Sequence, residues 1–182
     1  MTNVYNLEPG DAIFAHSKDL YGTAIRYAEA LRWWRGHYWN HMAIVESVDD
    51  TGQVWCIEMA RRCERVRLED VAPGGHLKVI KCPDGVDRAR AVAYAQAQVG
   101  IKYAVLTIVS IVFSLFTPSA IQVDFHRGGP ALICSALVAR AWEHGGWDCP
   151  VDPFQISPAQ FDMILGNGGY YINLLASKLG MW

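Results

Sequence analysis

The first half of the chain carries short runs in which apolar and polar residues alternate. The second half carries longer runs at helical spacing. Ala12–Ala15, following Pro9-Gly10-Asp11, reads as a short strand. Leu20, Ala24, Ala28, Leu31 and Trp34 recur at helical spacing, so Asp19–Trp34 reads as a helix that Gly36 ends. His41–Val48 and Gln53–Ala60 read as strands, and Asp49-Asp50-Thr51-Gly52 between them supplies turn residues. The pair therefore forms a hairpin. His76–Cys82 is a third strand of this meander.

Asp87–Val99 is alanine-rich and reads as a helix stopped by Gly100. Tyr103–Phe116 is the most hydrophobic stretch and Pro118 closes it; a weakly patterned loop, Asp124–Pro130, follows. Cys134–His144 reads as a helix ending in Gly145-Gly146. Ser157-Pro158-Ala159-Gln160 has the form of a capping box, with proline at the first helical position of a helix through Leu165. A strand-and-helix mixture with an antiparallel meander in its first half belongs to the α+β class.

Composition narrows the picture. With 182 residues the chain has the length of a single domain, residues 1–182, and 52% apolar against 19% charged residues excludes disorder. A net charge of −2 does not suit a protein that grips nucleic acid through its phosphates. The five cysteines are odd in number and widely spaced, which argues against a disulfide framework, and no CxxC pair suggests structural zinc. The beginning, MTNVYNLEPGD, has neither a basic nor an apolar region. The expectation is a cytoplasmic protein, with delivery to a cell wall or membrane surface left open. The 14 residues Tyr103–Phe116 would make a helix of about 21 Å, too short to span a bilayer comfortably. A helix apolar on all sides must be buried by something. Core, lid, membrane-surface contact and self-association are the alternatives, and a helix beside the cleft is the expectation.

Cys134 stands out among the thiols because it opens a helix. Helix N-termini offer unpaired N–H groups and a positive partial charge, which favour a thiolate and can hold an oxyanion. His41 opens an alternating strand with Ala43, Val45 and Ser47 on its face, and Val54, Cys56, Glu58 and Ala60 share a face of the returning strand. If Val48 pairs with Gln53, Glu58 faces Ala43, diagonal to His41; a two-residue loop would instead pair His41 with Glu58 directly. A one-residue slip from either register separates the two. A thiol beside a histidine oriented by a carboxylate is the general plan of a cysteine hydrolase.

Three motifs together resemble the circularly permuted NlpC-type, papain-like hydrolases, which include the YiiX-like proteins. They are Pro9-Gly10-Asp11-Ala12-Ile13-Phe14, then Asn40-His41-Met42-Ala43-Ile44-Val45 followed by Ile57-Glu58-Met59-Ala60, then Ile133-Cys134-Ser135-Ala136-Leu137-Val138. Val99-Gly100-Ile101-Lys102-Tyr103 is similar to the family's lead-in to its cysteine. The resemblance implies a permuted papain-like fold, its antiparallel sheet packed against the cysteine helix. It also implies a nucleophile at Cys134, a base at His41 and an orienting residue at Glu58. It departs from the family in an apolar insertion at about 103–130, where a shorter stretch is usual, and in Ala136, where glutamate is common. The expected activity is cleavage of an amide bond through an acyl-enzyme, without a cofactor. By resemblance, the first substrate guess is the peptide stems of peptidoglycan. A lipid-directed acyltransferase or thioesterase on the same triad and a non-catalytic binding module are the alternatives.

Further candidates lie nearby. His37, Trp39 and Tyr103 are candidate substrate-binding side chains, the tryptophans Trp33, Trp34 and Trp39 being either core or a substrate-facing wall. His37 and His41 stand four apart, but Gly36 and the strand at His41 deny them a common helix, so no metal is expected. His126 and His144 are expected at the surface. Arg61, Arg62, Arg65 and Arg67 form a basic cluster, read as a solvated edge or a contact for an anionic substrate.

Overall fold

The computed structural model describes residues 6–16, 38–102, 132–154, 156–165 and 169–173. The helix expected over Asp19–Trp34, the apolar run Tyr103–Phe116 with its insertion, and the residues His37, Tyr103 and His126 lie outside them. The strands are β1 (Ala12–Ala15), β2 (His41–Val48), β3 (Val54–Met59), β4 (Cys63–Arg67), β5 (His76–Ile80) and β6 (Tyr170–Asn173). The helices are α1 (Leu68–Val71), α2 (Arg88–Ala97), α3 (Cys134–His144) and α4 (Pro158–Leu165). Together they form an α+β structure around an open six-stranded sheet of order β4-β3-β2-β1-β5-β6, with antiparallel pairing throughout.

Alternation sorts each strand's side chains onto two buried faces. Ala12, Phe14, Met42, Ile44, Ile57 and Met59 pack with α2, α3 and α4. Ile13, Ala15, Ala43, Val45, Val54, Cys56, Leu77 and Val79 pack with Leu7 and with Leu68 and Val71 of α1. A central sheet covered on both sides explains why β1 and the start of β2 are apolar at consecutive positions. Phe14 meets Phe161 edge-on at 6.0 Å, and Phe161 lies 5.3 Å from Trp142 of α3. All three rings are fully buried, and burying such a side chain contributes about 1.5–3 kcal/mol.

Local signals set the element ends. Asp49 organises the hairpin turn: its Oδ1 accepts from the backbone N–H groups of Thr51 and Gln53 at 2.9 and 3.0 Å. Gly52 takes a φ of +85°, the left-handed conformation that the last residue of a three-residue loop needs. Asp87 caps α2 by accepting from Arg90 N–H at 3.0 Å. The capping box of α4 is reciprocal: Ser157 N–H donates to Gln160 Oε1 at 2.9 Å and Gln160 N–H donates to Ser157 Oγ at 3.3 Å. Gly145 follows α3 at the α2 junction, where a Cβ would sit 2.5 Å from Val86 and 2.8 Å from the Asp87 carbonyl.

The hairpin differs from the simplest register. Val48 pairs with Val54 rather than Gln53, and the pairing shifts between Val45 and Ser47, leaving Glu46 as the extra residue of a bulge. Past the bulge Ala43 faces Glu58, the pairing expected near the site. Continued unbroken from the turn, the pairing would set Ile44 opposite Glu58 and turn His41 to the other face. Glu46 itself accepts from Arg65 of β4 and, at 2.9 Å, from Gln96 of α2.

Two strands and one helix were not apparent as sequence patterns. Segment β4, CERVR, carries three charged residues in five, and β6 is four residues long. Both are sheet edges, held by cross-strand bonding rather than by a strong apolar alternation. Helix α1 is a single turn. The Gly100–Lys102 lead-in runs beside the start of β4: Cys63 N–H donates to Ile101 O at 2.7 Å and Gly100 N–H to Cys63 O at 2.8 Å. No helix among the described residues is long and apolar enough to cross a membrane.

Asp11 joins these parts. Its carboxylate is fully buried and receives Lys81 Nζ and Arg88 Nη1, each at 2.9 Å, with the N–H groups of Glu8 at 2.9 Å and Cys82 at 3.1 Å. The neighbouring Gly10 carbonyl accepts from Trp142 Nε1 at 2.7 Å. Removing the carboxylate takes away the buried anion shared by two cations and two backbone N–H groups, leaving Lys81 and Arg88 only Glu8, at 3.3 Å, as an acidic partner among the described residues. Asp11→Ala is expected to cost about 3 kcal/mol of stability, read as a lower midpoint in urea unfolding. A midpoint equal to that of the parent protein would show that this cluster is dispensable.

Candidate active site

His41 opens β2 and Cys134 opens α3, while Glu58 is the last residue but one of β3. The structure brings the three together. His41 Nε2 and Glu58 Oε2 lie 2.6 Å apart, a charge-assisted hydrogen bond across diagonal strand positions. Cys134 is the second side chain that acts on the same imidazole.

The meeting point follows from the ends of the elements. Alternation aims His41 toward the Ala43 and Val45 face, whereas the apolar side of α3 packs on the Met42 and Ile44 face. A residue in mid-strand could not reach across. As the first residues of a strand and a helix, His41 and Cys134 meet at the end of the sheet. Ser135, next to Cys134, is fully buried and donates to the Ile156 carbonyl at 2.5 Å, which ties the start of α3 to the segment before α4.

The electrostatics follow from burial and neighbours. Burial works against a charge on His41, but hydrogen bonds and charge from Cys134 and from Glu58 outweigh it, raising the imidazole from 6.5 to about 10. The ring beside the Glu58 carboxylate is therefore an imidazolium at neutral pH. The other thiols are pushed the opposite way from reactivity. Burial raises Cys56 far above its ordinary value, and nearby carboxylates add to the effect. Cys63 rises to about 12 and Cys82 to about 11, again mainly through burial. Burial raises Cys149 as well.

Among the remaining candidates, Trp39 is buried and belongs to the same apolar cluster as Cys134. Its ring contacts Tyr38 at 4.7 Å and Tyr171 at 6.1 Å. Neither tyrosine was singled out from sequence, because Tyr171 reaches Trp39 only through the pairing of β6 with β5. His144 is exposed and stacks on Tyr94 at 4.1 Å. The four arginines are exposed, but Arg65 is paired with Glu46 and lies 4.0 Å over Trp55, and Arg62 stands 3.7 Å from Glu64. This edge is thus partly neutralised by its own carboxylates. Among the described residues no group of three or more His, Cys, Asp or Glu side chains is arranged to hold a metal ion.

No protein-family model matches the chain, and a search of curated proteins returned no match. The site is therefore read from its own chemistry.

The raised His41 value has a measurable consequence. Because it lies above the ordinary 6.5, the charge stabilises the fold fully below about pH 6.5, and this contribution is lost as pH rises through about 10. In NMR titration the His41 ring should stay protonated at neutral pH and release its proton near pH 10. Cys134→Ala and Glu58→Gln should each lower that midpoint, since each removes a partner of the charged ring. A midpoint near 6.5 in the parent protein would contradict the coupling.

Proposed function

We propose that this chain is a thiol hydrolase of the circularly permuted NlpC-type, papain-like class, cleaving an amide bond through Cys134, His41 and Glu58. The observation that carries the reading is one imidazole engaged on both sides, by a carboxylate at 2.6 Å and by the thiol that opens α3. The arrangement of an antiparallel sheet against the cysteine helix supports the same class, as do the motifs around Gly10-Asp11, His41 and Cys134.

In this reading the Cys134 thiolate attacks the amide carbonyl carbon. Ile133 at the N-cap of α3 makes no side-chain capping bond, so the first-turn N–H groups are suited to receive the oxyanion. His41 then gives its proton to the leaving nitrogen and the C–N bond breaks, leaving a thioester at Cys134. The neutral imidazole next takes a proton from water, which attacks the thioester; the acid is released and the thiolate–imidazolium pair is restored. Glu58 keeps the ring in the orientation that serves both steps. Peptide stems of peptidoglycan are the first substrate to test, on resemblance alone.

Alkylation tests the reading directly. Iodoacetamide at pH 7 should modify Cys134 before Cys56, Cys63, Cys82 and Cys149, as followed by peptide mass spectrometry. His41→Ala should slow Cys134 by about 100-fold or more, and Glu58→Gln by about tenfold. Equal rates at all five thiols would leave a binding module of this fold as the better account. Release of an amine from digested wall fragments, lost in Cys134→Ala, would establish the substrate class.

A further inference from the structure

Just ahead of His41 in the chain begins a row of rings that the triad does not use. His16 directly follows Ala15, the cross-strand partner of His41. Its ring stacks on Tyr38 at 4.6 Å with the planes 20° apart. Tyr38 meets Trp39 edge-on at 4.7 Å, and Trp39 lies 6.1 Å from Tyr171. The row thus joins the ends of β1 and β2 to β6 across the sheet. Its middle member is buried in the cluster that holds Cys134 and stands two residues ahead of His41.

The outer members are unlike the middle one. Tyr38 is 50% exposed and Tyr171 is 70% exposed, while Trp39 between them is 7% exposed. Aromatic rings left open beside a buried anchor present apolar surface to a bound group. The row also carries little net charge. Lys78, whose ammonium lies 5.7 Å from the Tyr171 ring, is buried and paired with Asp162 at 2.6 Å. Gly169 leaves room for the Lys78 stem, since a Cβ there would stand 2.6 Å from Lys78 Cε. The cation is therefore held by its own carboxylate, and the row of rings presents shape and apolarity rather than charge.

We infer that Tyr38, Trp39 and Tyr171 form a specificity wall that takes an uncharged aromatic ring of the substrate, next to the bond that Cys134 attacks. This rests on the hydrolase reading for the identity of the reacting group, and it adds the substrate class. Continuity with the site argues for a substrate group as the occupant, because the wall begins at the residues that lead into His41.

Two measurements test it. The first compares alkylation of Cys134 by N-phenethyl-iodoacetamide, N-hexyl-iodoacetamide and iodoacetamide. The phenethyl reagent should react about tenfold faster than the hexyl one, with saturation. Tyr171→Ala and Tyr38→Ala should each bring that ratio toward one. The second is an NMR titration of the Cys134→Ala protein with N-phenethylacetamide, which should shift the Tyr38, Trp39 and Tyr171 signals without any chemistry at sulfur. Equal rates for the phenethyl and hexyl reagents, or no shifts at the three rings, would overturn the wall. Ring binding with a Cys134 no faster than the other thiols would support the wall and reject the hydrolase reading alone.

Discussion

The change of register at Glu46 is the constraint on which the site depends. The turn closes with Val48 opposite Val54, a pairing that would separate His41 from Glu58 if it ran on unbroken. One extra residue in β2 moves the pairing by one position, and Ala43 then faces Glu58. Glu46 is not a passive insertion, because its carboxylate binds Arg65 of β4 and Gln96 of α2. The bulge is thereby tied to the edge strand on one side and to the helical layer on the other.

A second constraint brings the cysteine to that pair. The thiol's position depends on where α3 begins, and α3 is anchored from its far end as well as its near end. Trp142 donates to Gly10, the residue before the buried Asp11 carboxylate, and Asp11 in turn holds Lys81 and Arg88. At the near end Ser135 donates to Ile156, just ahead of the capping box of α4. A helix held at both ends presents its first residue to a fixed point at the end of the sheet. Such pre-organisation is what the proposed hydrolase chemistry would need, because a displacement of even 1 Å is costly to reaction rates.

The site also concentrates opposing electrostatic demands. Burial alone would discharge His41; interactions with Cys134 and Glu58 reverse that outcome. Burial raises the buried thiols elsewhere, Cys82 included although Arg88 acts against the rise, and leaves them inert packing groups. Cysteines in one small sheet structure thus differ through their surroundings and not through their covalent chemistry. Trp39 shows the same division of roles, with one ring buried as an anchor and the tyrosines beside it open.

Strong local signals were legible in the sequence. The spans of β1, β2 and α3 follow from a short apolar run, alternation, helical spacing and end residues; β3 and β5 are shorter than the runs read for them because pairing stops where the partner strand ends. The reciprocal cap at Ser157 and Gln160 is a contact between residues three apart, so sequence determines it almost alone. The pairing of Ala43 with Glu58 was readable as one of a few registers, but the route to it through a three-residue loop and a bulge was not. Edge strands β4 and β6 were hidden because their stability comes from backbone bonds to a neighbour, which leave a weak side-chain pattern. The contact of Cys134 with His41, the burial of Asp11 between two cations and the approach of Tyr171 to Trp39 join residues distant in the chain. Residue type and local spacing set which groups were capable of chemistry; only the packing of strand ends against helix starts decided which of them meet.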